Sequence, residues 1–453
     1  MACEFNDAKR KTDGSPIGRL PVMQRHRCMQ NITTGDSSMP VRPVLPHGTK
    51  HQPLFGISAA SAALFMAISA QAQSSVTLYG TLDSGVLSMS NYSAGTGYLP
   101  TTAHKGSSVK AKDGGLGASN WGLRGTEDLG GGLRANFHLQ GNLNATNGGT
   151  GGANSSSGTS FFNQLSVVGL SGSFGEVKLG RQFSPAAYAM QYTDARGLRY
   201  FGSALTALVG MNTASKAWIG NNSNVAFGTI YNDNAVVYTT PNWNGLKMDF
   251  AYAFGEGGGK ANSQQSVTAL YQNGGFKLSA IYYNGYGNNQ ANAAAIYGAA
   301  LGNADAGAAA ARAAGFSTTA NTNRLYSLGA QYNRGPYTIS GQYYAARNPS
   351  HVVMPGGSDS LDMWNFGLGW RPVPYLNLST AYYHVKDNKN AGHKATQFVL
   401  GAEYLLSKRT WAYVQGAYVM NDGANMALSP MYASPVAAGK NVHALMVGVR
   451  HSF

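Results

Sequence analysis

The chain has 453 residues, of which 43% are hydrophobic and only 11% are Asp, Glu, Lys or Arg. Soluble globular proteins carry about 25% charged residues, so the composition argues against an ordinary soluble enzyme. The formal net charge is +14, but Lys and Arg are spread singly, which argues against a nucleic-acid-binding surface. Beyond the first quarter of the chain no run reaches the roughly 18 apolar residues of a membrane helix. A transmembrane β-barrel fits this composition, because its apolar residues alternate with polar ones.

The first 72 residues are predicted to be an extension followed by an export leader. Residues 54–72, LFGISAASAALFMAISAQA, form an apolar run that ends in the small-residue pattern of a cleavage site. A membrane anchor is the weaker alternative, because the run is short for a span. We expect an early start or unstructured extension over 1–38, a signal peptide over 39–72, and a mature barrel over 73–453.

Removal of this leader changes the charge and the cysteine content. Residues 1–72 hold eight Lys and Arg and four Asp and Glu, so the net charge falls from +14 to +10. Cys3 and Cys28, the two cysteines of the chain, both lie in the part removed. No disulfide and no cysteine-ligated metal is therefore expected in the mature protein.

From Ser75 onward, segments of about ten residues alternate with period two, as expected for membrane strands. Segment 118–126 places Trp121 and Leu123 on one face, with Asn120 and Arg124 on the other. Segment 132–142 repeats the pattern, with Arg134, Asn136, His138 and Gln140 on its polar face. The apolar face of such a strand meets lipid in a barrel, and the polar face lines water.

Short turns, most of them with glycine or proline, alternate with long polar stretches along the chain. Short turns are predicted near 127–131, 171–175, 242–245, 273–275, 333–336, 371–374 and 407–410. Long stretches lie near 91–117, 146–159, 183–233, 285–322, 345–357 and 420–440. Bacterial barrels show this asymmetry, and the segments number about sixteen, so we predict a closed antiparallel β-barrel. The Ala-rich stretch 290–316 is compatible with a short helix inside an outer loop.

The last segment, LMVGVRHSF, alternates up to Phe453. A closed barrel requires its last strand to pair with its first.

Several motifs together resemble the general diffusion porins of Gram-negative outer membranes. They are SSVTLYGTLDSG (74–85), WGLRGTEDLGGGLRANF (121–137), VGLSGSFGEVKLGRQ (168–182), LSKRT (406–410) and the terminal VGVRHSF. The resemblance implies a sixteen-stranded homotrimeric barrel in the outer membrane, in contact with lipid and lipopolysaccharide. It implies passive diffusion of ions and small hydrophilic solutes, without cofactor, metal or nucleic acid. Phe453 resembles the signal that the outer-membrane assembly machinery reads.

The resemblance also implies a third loop folded inward after LGRQ (179–182), over roughly 183–220. Its charged residues would face a basic ladder on the opposite wall. The loop charges are Asp194, Arg196, Arg199 and Lys216, and the ladder candidates are Arg124, Arg134, Lys178 and Arg181.

Two positions depart from the family pattern. The family often carries Arg where this chain has Asn120 and Gln164. Because both substitutions remove positive charge, we expect only weak charge selectivity.

Alternative interpretations remain open at this point. The arginines of the wall are also compatible with a role in keeping the lumen hydrated. Asp194, Arg196 and Arg199 are also compatible with pairing within the loop. A substrate-specific channel on the same barrel would show an aromatic track along the lumen. A barrel enzyme would need a positioned nucleophile and base, and His104, His351 and the serines do not form such a set. An adhesive or receptor role of the loops is compatible with any of these.

Overall fold

In the computed structural model, the residues that the structure describes all lie within Ser69–Phe453. The described residues are 75–93, 106–150, 160–216, 230–255, 263–286, 297–298, 301–315, 322–347 and 357–453. The predicted extension and signal peptide lie outside them, as do His104, His351 and most of the loop at 255–260.

The described residues contain seventeen β-strands. The first nine are β1 (Ser75–Met89), β2 (Ser108–Asp113), β3 (Asn120–Gly130), β4 (Leu133–Asn142), β5 (Leu165–Gly172), β6 (Gly175–Phe183), β7 (Tyr231–Thr239), β8 (Leu246–Ala253) and β9 (Gln264–Asn273). The others are β10 (Phe276–Tyr286), β11 (Thr322–Arg334), β12 (Tyr337–Arg347), β13 (Ser360–Val373), β14 (Leu376–Asp387), β15 (Lys394–Leu405), β16 (Thr410–Asp422) and β17 (Val442–Ser452).

All of these strands belong to one antiparallel sheet that closes on itself. On one edge β1 pairs with β17, from Thr81 opposite Ser452 to Met89 opposite Ala444. On its other edge β1 pairs with β3 through its first half and with β2 through its second half. Because β2 and β3 share one position beside β1, the seventeen strands fill sixteen positions, which confirms the predicted closed barrel of about sixteen strands.

Side chains alternate between an apolar outer face and an inner face. On β17, Leu445, Val447 and Val449 are 50–53% exposed, whereas Val442 and Met446 are fully buried. Exposed apolar residues continue around the barrel at Leu78, Val168, Leu179, Phe250, Leu278, Leu328, Ile339, Leu368, Leu400 and Val414. A sheet closed in this way leaves no unpaired edge in lipid, and its apolar outer belt suits the hydrocarbon core.

Connections at the two ends of the barrel differ in length, as the sequence predicts. All seven predicted short turns join consecutive strands, from β3–β4 to β15–β16. The predicted long stretches join strands at the other end, and the longest of them connects β6 to β7.

The strand β2 is a feature that the sequence prediction missed, because it lies within the stretch 91–117 that we assigned to a loop. Between β2 and β3 the chain leaves the sheet, and Asp83 of β1 holds this segment. Its carboxylate accepts hydrogen bonds from the backbone N–H groups of Gly115, Leu116 and Gly117 at 2.8–3.0 Å. The Tyr413 hydroxyl donates a fourth hydrogen bond at 2.7 Å. A buried carboxylate with four donors is well compensated for its lost hydration.

The described residues include three helices: α1 (Pro185–Thr193), α2 (Ala204–Ser215) and α3 (Ala304–Ala313). Pro185 begins α1, where a missing N–H costs nothing. Ser203 caps α2 by accepting from Leu205 N at 3.1 Å, and Thr206 hydroxyl accepts from Ser203 N in return. The helix α3 lies within the Ala-rich stretch 290–316, whose composition is compatible with a short helix in a loop between strands. None of the helices in the described ranges is long and apolar enough to cross a membrane.

Candidate functional site: the lumen and its narrowing loop

The connection between β6 and β7, residues 184–230, carries α1 and α2 and is called the narrowing loop below. The helix α1 packs on β8–β12, and α2 packs on β13 and β14. Thr193 Oγ1 lies 2.7 Å from Ser279 Oγ, and Ala195 N donates to Ser340 Oγ at 3.1 Å. Both serines lie on the strand face opposite the exposed apolar belt. The contacts therefore place the described part of this loop against the inner wall.

Small and apolar side chains allow the helices to fit inside the barrel. Ala186, Ala187 and Met190 of α1 and Leu208 and Met211 of α2 are almost completely buried. Complete burial of a side chain as large as Leu or Met contributes about 1.5–3 kcal/mol. Packing of this kind holds the loop on the wall in addition to its hydrogen bonds.

Asp194 lies at the junction between the two helices and is 3% exposed. Its Oδ2 accepts from the backbone N–H of Ala204, the first residue of α2, at 3.0 Å. Its Oδ1 accepts from Arg196 N at 3.1 Å and from the Tyr383 hydroxyl of β14 at 3.0 Å. A carboxylate beside a helix N-terminus is stabilised by the helix dipole. Asp194 therefore orients α2 and ties the loop to β14.

Arg196 is fully buried between the loop and the wall. Its guanidinium donates to the carbonyls of Phe201 and Gly202 within the loop, and to Ser379 Oγ and Gln415 Oε1 on the wall. Burial, and secondarily the neighbouring Arg199, lowers the pKa of Arg196 to about 10. The side chain remains charged at neutral pH. Its charge interacts with these acceptors and does not face the lumen.

Arg199 forms an ion pair with Glu403 of β15, with Nε and Oε1 2.5 Å apart. The carboxylate side chain is 1% exposed and the guanidinium side chain is 20% exposed. Burial acts to lower the pKa of Arg199, but the Glu403 carboxylate outweighs it and the pKa ends above its usual value. Removal of one partner from such a pair leaves a buried charge uncompensated, which costs about 3–5 kcal/mol.

Two further segments hold the tip of the narrowing loop. Phe201 N donates to Gly115 O at 3.1 Å, in the segment between β2 and β3. Gly202 N donates to Pro430 O, and Tyr432 N donates to Tyr200 O, both at 2.8 Å. The connection between β16 and β17 thus folds onto the loop tip from the other side.

We call the inner face of β3–β6 the open wall, because neither α1 nor α2 packs on these strands. Arg124 is exposed there, with its Cζ 5.4 Å from the centre of the Tyr79 ring. The Tyr79 hydroxyl contacts His138 and donates to Gln140 Oε1 at 2.7 Å. Lys178 lies 3.4 Å from Glu176, and both side chains are 32% exposed.

The other predicted residues are distributed over several places. Arg134 is exposed and lies opposite Asp128 near the first short turn. Arg181 pairs with Asp233 of β7. Asn120 begins β3 and is partly buried, whereas Gln164 is fully buried and accepts from Gln140. Lys216 caps the C-terminus of α2 with a positive φ of 53°.

The chain terminus closes the seam between the first and last strands. Phe453 N donates to Gly80 O at 3.0 Å, and Gly80 N donates to Phe453 O at 3.2 Å. A Cβ atom on Gly80 would overlap the Phe453 ring, so glycine is required there for this ring position.

The structure corrects one expectation and adds residues that sequence reasoning missed. We expected Asp194 and Arg196 to face the pore, but both are buried, which favours the alternative that they hold the loop. Their partners Tyr383, Glu403 and Gln415 were not among the predicted residues. Strand alternation indicates that all three side chains point inward. Alternation alone does not distinguish polar groups that face the lumen from those that lie beneath a loop.

The arrangement defines a class of protein: a closed membrane barrel with an apolar exterior and a polar lumen narrowed by an anchored loop. Such a barrel offers a passive, water-filled path across a membrane. A family model of Gram-negative porins matches residues 59–424. The chain therefore belongs to the Gram-negative porin family. It is an outer-membrane channel for the diffusion of small solutes and not an enzyme.

Individual relatives agree with this family. The chain is 30% identical over 388 residues to outer membrane porin protein 32 of Delftia acidovorans, covering 85% of this chain and 95% of the relative. It is 28% identical over 402 residues to an outer membrane porin protein of Bordetella pertussis, covering 78% and 90%. Among solved structures, the anion-selective porin from Comamonas acidovorans is similar, with 26% identity, a TM-score of 0.62, and coverage of 84% and 100%.

Proposed function

We propose that ions and small hydrophilic solutes pass between the narrowing loop and the open wall, with a weak preference for anions. The observation that carries this proposal is the unequal exposure of the charges. The acidic groups Asp194 and Glu403 are buried and already paired, whereas Arg124 on the open wall is exposed. Water-facing positive charge on one side of a narrow passage favours anions.

The preference is weak because much of the remaining positive charge is compensated. Lys178 and Arg181 each have a carboxylate partner, Glu176 and Asp233. At Asn120 and Gln164 no charge is present. Among the charges of the open wall, Arg124 therefore contributes most, because Arg134 lies opposite Asp128 near the short turn.

The similar Comamonas acidovorans structure is described as an anion-selective porin, which supports the same sign of selectivity. The test is the reversal potential of the purified protein in a planar bilayer under a KCl gradient. We expect a reversal potential on the anion-selective side, increasing as the salt concentration falls, because the Debye length grows from about 3 Å at 1 M to about 30 Å at 0.01 M. A cation-selective reversal potential at low salt would contradict the proposal.

We also propose that the protein works as a homotrimer in contact with outer-membrane lipids and lipopolysaccharide. A trimer form is described for an outer membrane protein of Vibrio cholerae that shares this fold at 14% identity and a TM-score of 0.56. Mild detergent extraction followed by native mass measurement tests this, with three copies expected. A monomer after extraction in several mild detergents would count against it.

The terminal residue is proposed to be the signal that the outer-membrane assembly machinery reads. Phe453 is 49% exposed, and its backbone completes the seam with β1 through Gly80. We expect deletion of Phe453 to lower the amount of protein in the outer membrane.

N-terminal sequencing of the membrane-extracted protein tests the proposed leader, with Gln73 as the expected first residue.

A further inference from the structure

A cavity of about 650 Å³ lies between α1 and the inner faces of β6–β9. It is called the tyrosine pocket below. Its floor at the short-turn end is formed by the turns at Asn242, Gly245 and Gly274. The volume falls within the range of about 300–1,000 Å³ that is usual for small-molecule sites.

The side of the pocket formed by α1 carries two tyrosine rings. Tyr188 and Tyr192 are four residues apart and share one helix face, with ring centres 6.3 Å apart. Tyr188 is 48% exposed although the rest of α1 is largely buried. The Tyr192 hydroxyl donates to Gln272 Oε1 at 3.0 Å, which fixes the orientation of the second ring. An exposed ring on a rigid, anchored helix is suited to stack with a planar solute.

The opposite side of the pocket carries two ammonium groups, Lys178 and Lys247, and two carboxylates, Glu176 and Asp249. Two acidic groups face it, and both are engaged: Glu176 with Lys178 at 3.4 Å, and Asp249 with the hydroxyls of Thr239 and Thr268 at 2.6 and 2.9 Å. Lys247 is exposed, and no carboxylate among the described residues lies within ion-pair distance of it.

Lys277 adds a second positive charge at the edge of the pocket. Its Nζ lies 4.9 Å from the centre of the Tyr192 ring, in a cation–π arrangement. The pocket therefore combines an exposed aromatic surface with uncompensated ammonium groups.

We propose that the tyrosine pocket is a binding subsite for small aromatic carboxylates on their way through the channel. The solute ring stacks on Tyr188, and its carboxylate meets Lys247. Neutral sugars would leave the ammonium groups without a counter-charge, and simple inorganic anions would not use the ring. The inference rests on the proposed passage through the lumen and adds a solute class to it.

Current block in planar bilayers tests the subsite with the full mature protein. Benzoate is the probe, and acetate and cyclohexanecarboxylate are compared at the same concentrations. We expect benzoate to block the open-channel current at several-fold lower concentration than either of the other two. Equal block by acetate and benzoate would overturn the proposal, and equal block by cyclohexanecarboxylate would overturn the aromatic class.

Variants locate the effect. In Tyr188→Leu we expect the benzoate blocking concentration to rise about three- to tenfold, and in Tyr188→Phe we expect little change, because the ring is retained. Lys247→Gln should weaken benzoate block by a similar factor. Tyr332→Leu is the matched control, because Tyr332 is 46% exposed on the outer face. Unchanged selectivity for benzoate in Tyr188→Leu would overturn the site.

The two proposals fail in different ways. If the protein forms no KCl-conducting channels, the proposed passage fails and the subsite fails with it. If channels form with normal conductance but benzoate blocks no better than acetate, only the subsite is wrong.

Discussion

On β8–β16 the inner wall is covered by the narrowing loop, and polar groups of this wall such as Ser340, Tyr383 and Glu403 are buried and bonded to the loop. On β3–β6 the inner wall faces water, and Arg124 and Arg134 are exposed. Both walls have the same strand alternation and a similar supply of polar residues. The charges of the covered wall therefore hold the loop, whereas those of the open wall act on solutes.

Among the substitutions on the two walls, the largest effect is expected from Arg196→Ala. This change removes donors to two loop carbonyls and to Ser379 and Gln415 on the covered wall. Each buried acceptor that loses its donor costs about 1–3 kcal/mol, which weakens attachment of the loop. We expect a larger and noisier single-channel conductance. Arg312→Ala on the outer-loop helix α3 is the control and should leave the conductance unchanged. An unaltered, quiet conductance in Arg196→Ala would show that packing alone holds the loop.

A second, smaller effect is expected at the ion pair of Arg199 with Glu403. Arg199→Ala leaves a carboxylate that is 1% exposed without its partner, so local opening becomes easier by about 3 kcal/mol. Hydrogen–deuterium exchange of the peptide covering 194–204 measures this opening. The double variant Arg199→Ala with Glu403→Ala should exchange more slowly than the single variant. If the double variant exchanges as fast as or faster than Arg199→Ala, the uncompensated carboxylate is not the cause.

On the open wall, Arg124→Gln should alter selectivity and not loop attachment. A unit charge at about 4 Å contributes about 1 kcal/mol in water, so we expect the anion-to-cation permeability ratio to fall about two- to fivefold. The measurement is the reversal potential at low salt, with exchange of 194–204 unchanged. Arg312→Gln serves as the charge-matched control. A ratio that stays the same in Arg124→Gln would assign selectivity to another part of the lumen.

The smallest effect is expected from adding charge back at the two positions that depart from the family pattern. Asn120 is only partly buried, so Asn120→Arg should raise the anion-to-cation ratio about twofold. Gln164 is fully buried, so Gln164→Arg should lower the yield of folded protein instead. Reversal potentials and the fraction of heat-resistant protein on gels measure the two outcomes. Equal yields for the two variants would contradict the difference in burial.

Much of the barrel was predictable from local sequence. The period-two alternation predicted which face of 132–142 and of the last strand is apolar, and the short turns predicted seven connections. The prediction missed β2 because its six residues lie in a polar stretch and pair with only half of β1. Short strands of this kind carry too few alternating residues for the pattern to stand out.

The amino-acid sequence alone therefore indicated most of the strands and the two faces of each, because alternation is a local property of each segment. The tertiary structure decided which inward residues face water. Strand alternation places both Gln140 and Gln415 on the inner face of the barrel. Gln140 is nevertheless partly exposed on the open wall, whereas Gln415 is fully buried beneath Arg196. The physical reason is that the path of the narrowing loop depends on contacts between residues more than 180 positions apart, such as Arg196 with Ser379 and Gln415. No local pattern encodes such contacts.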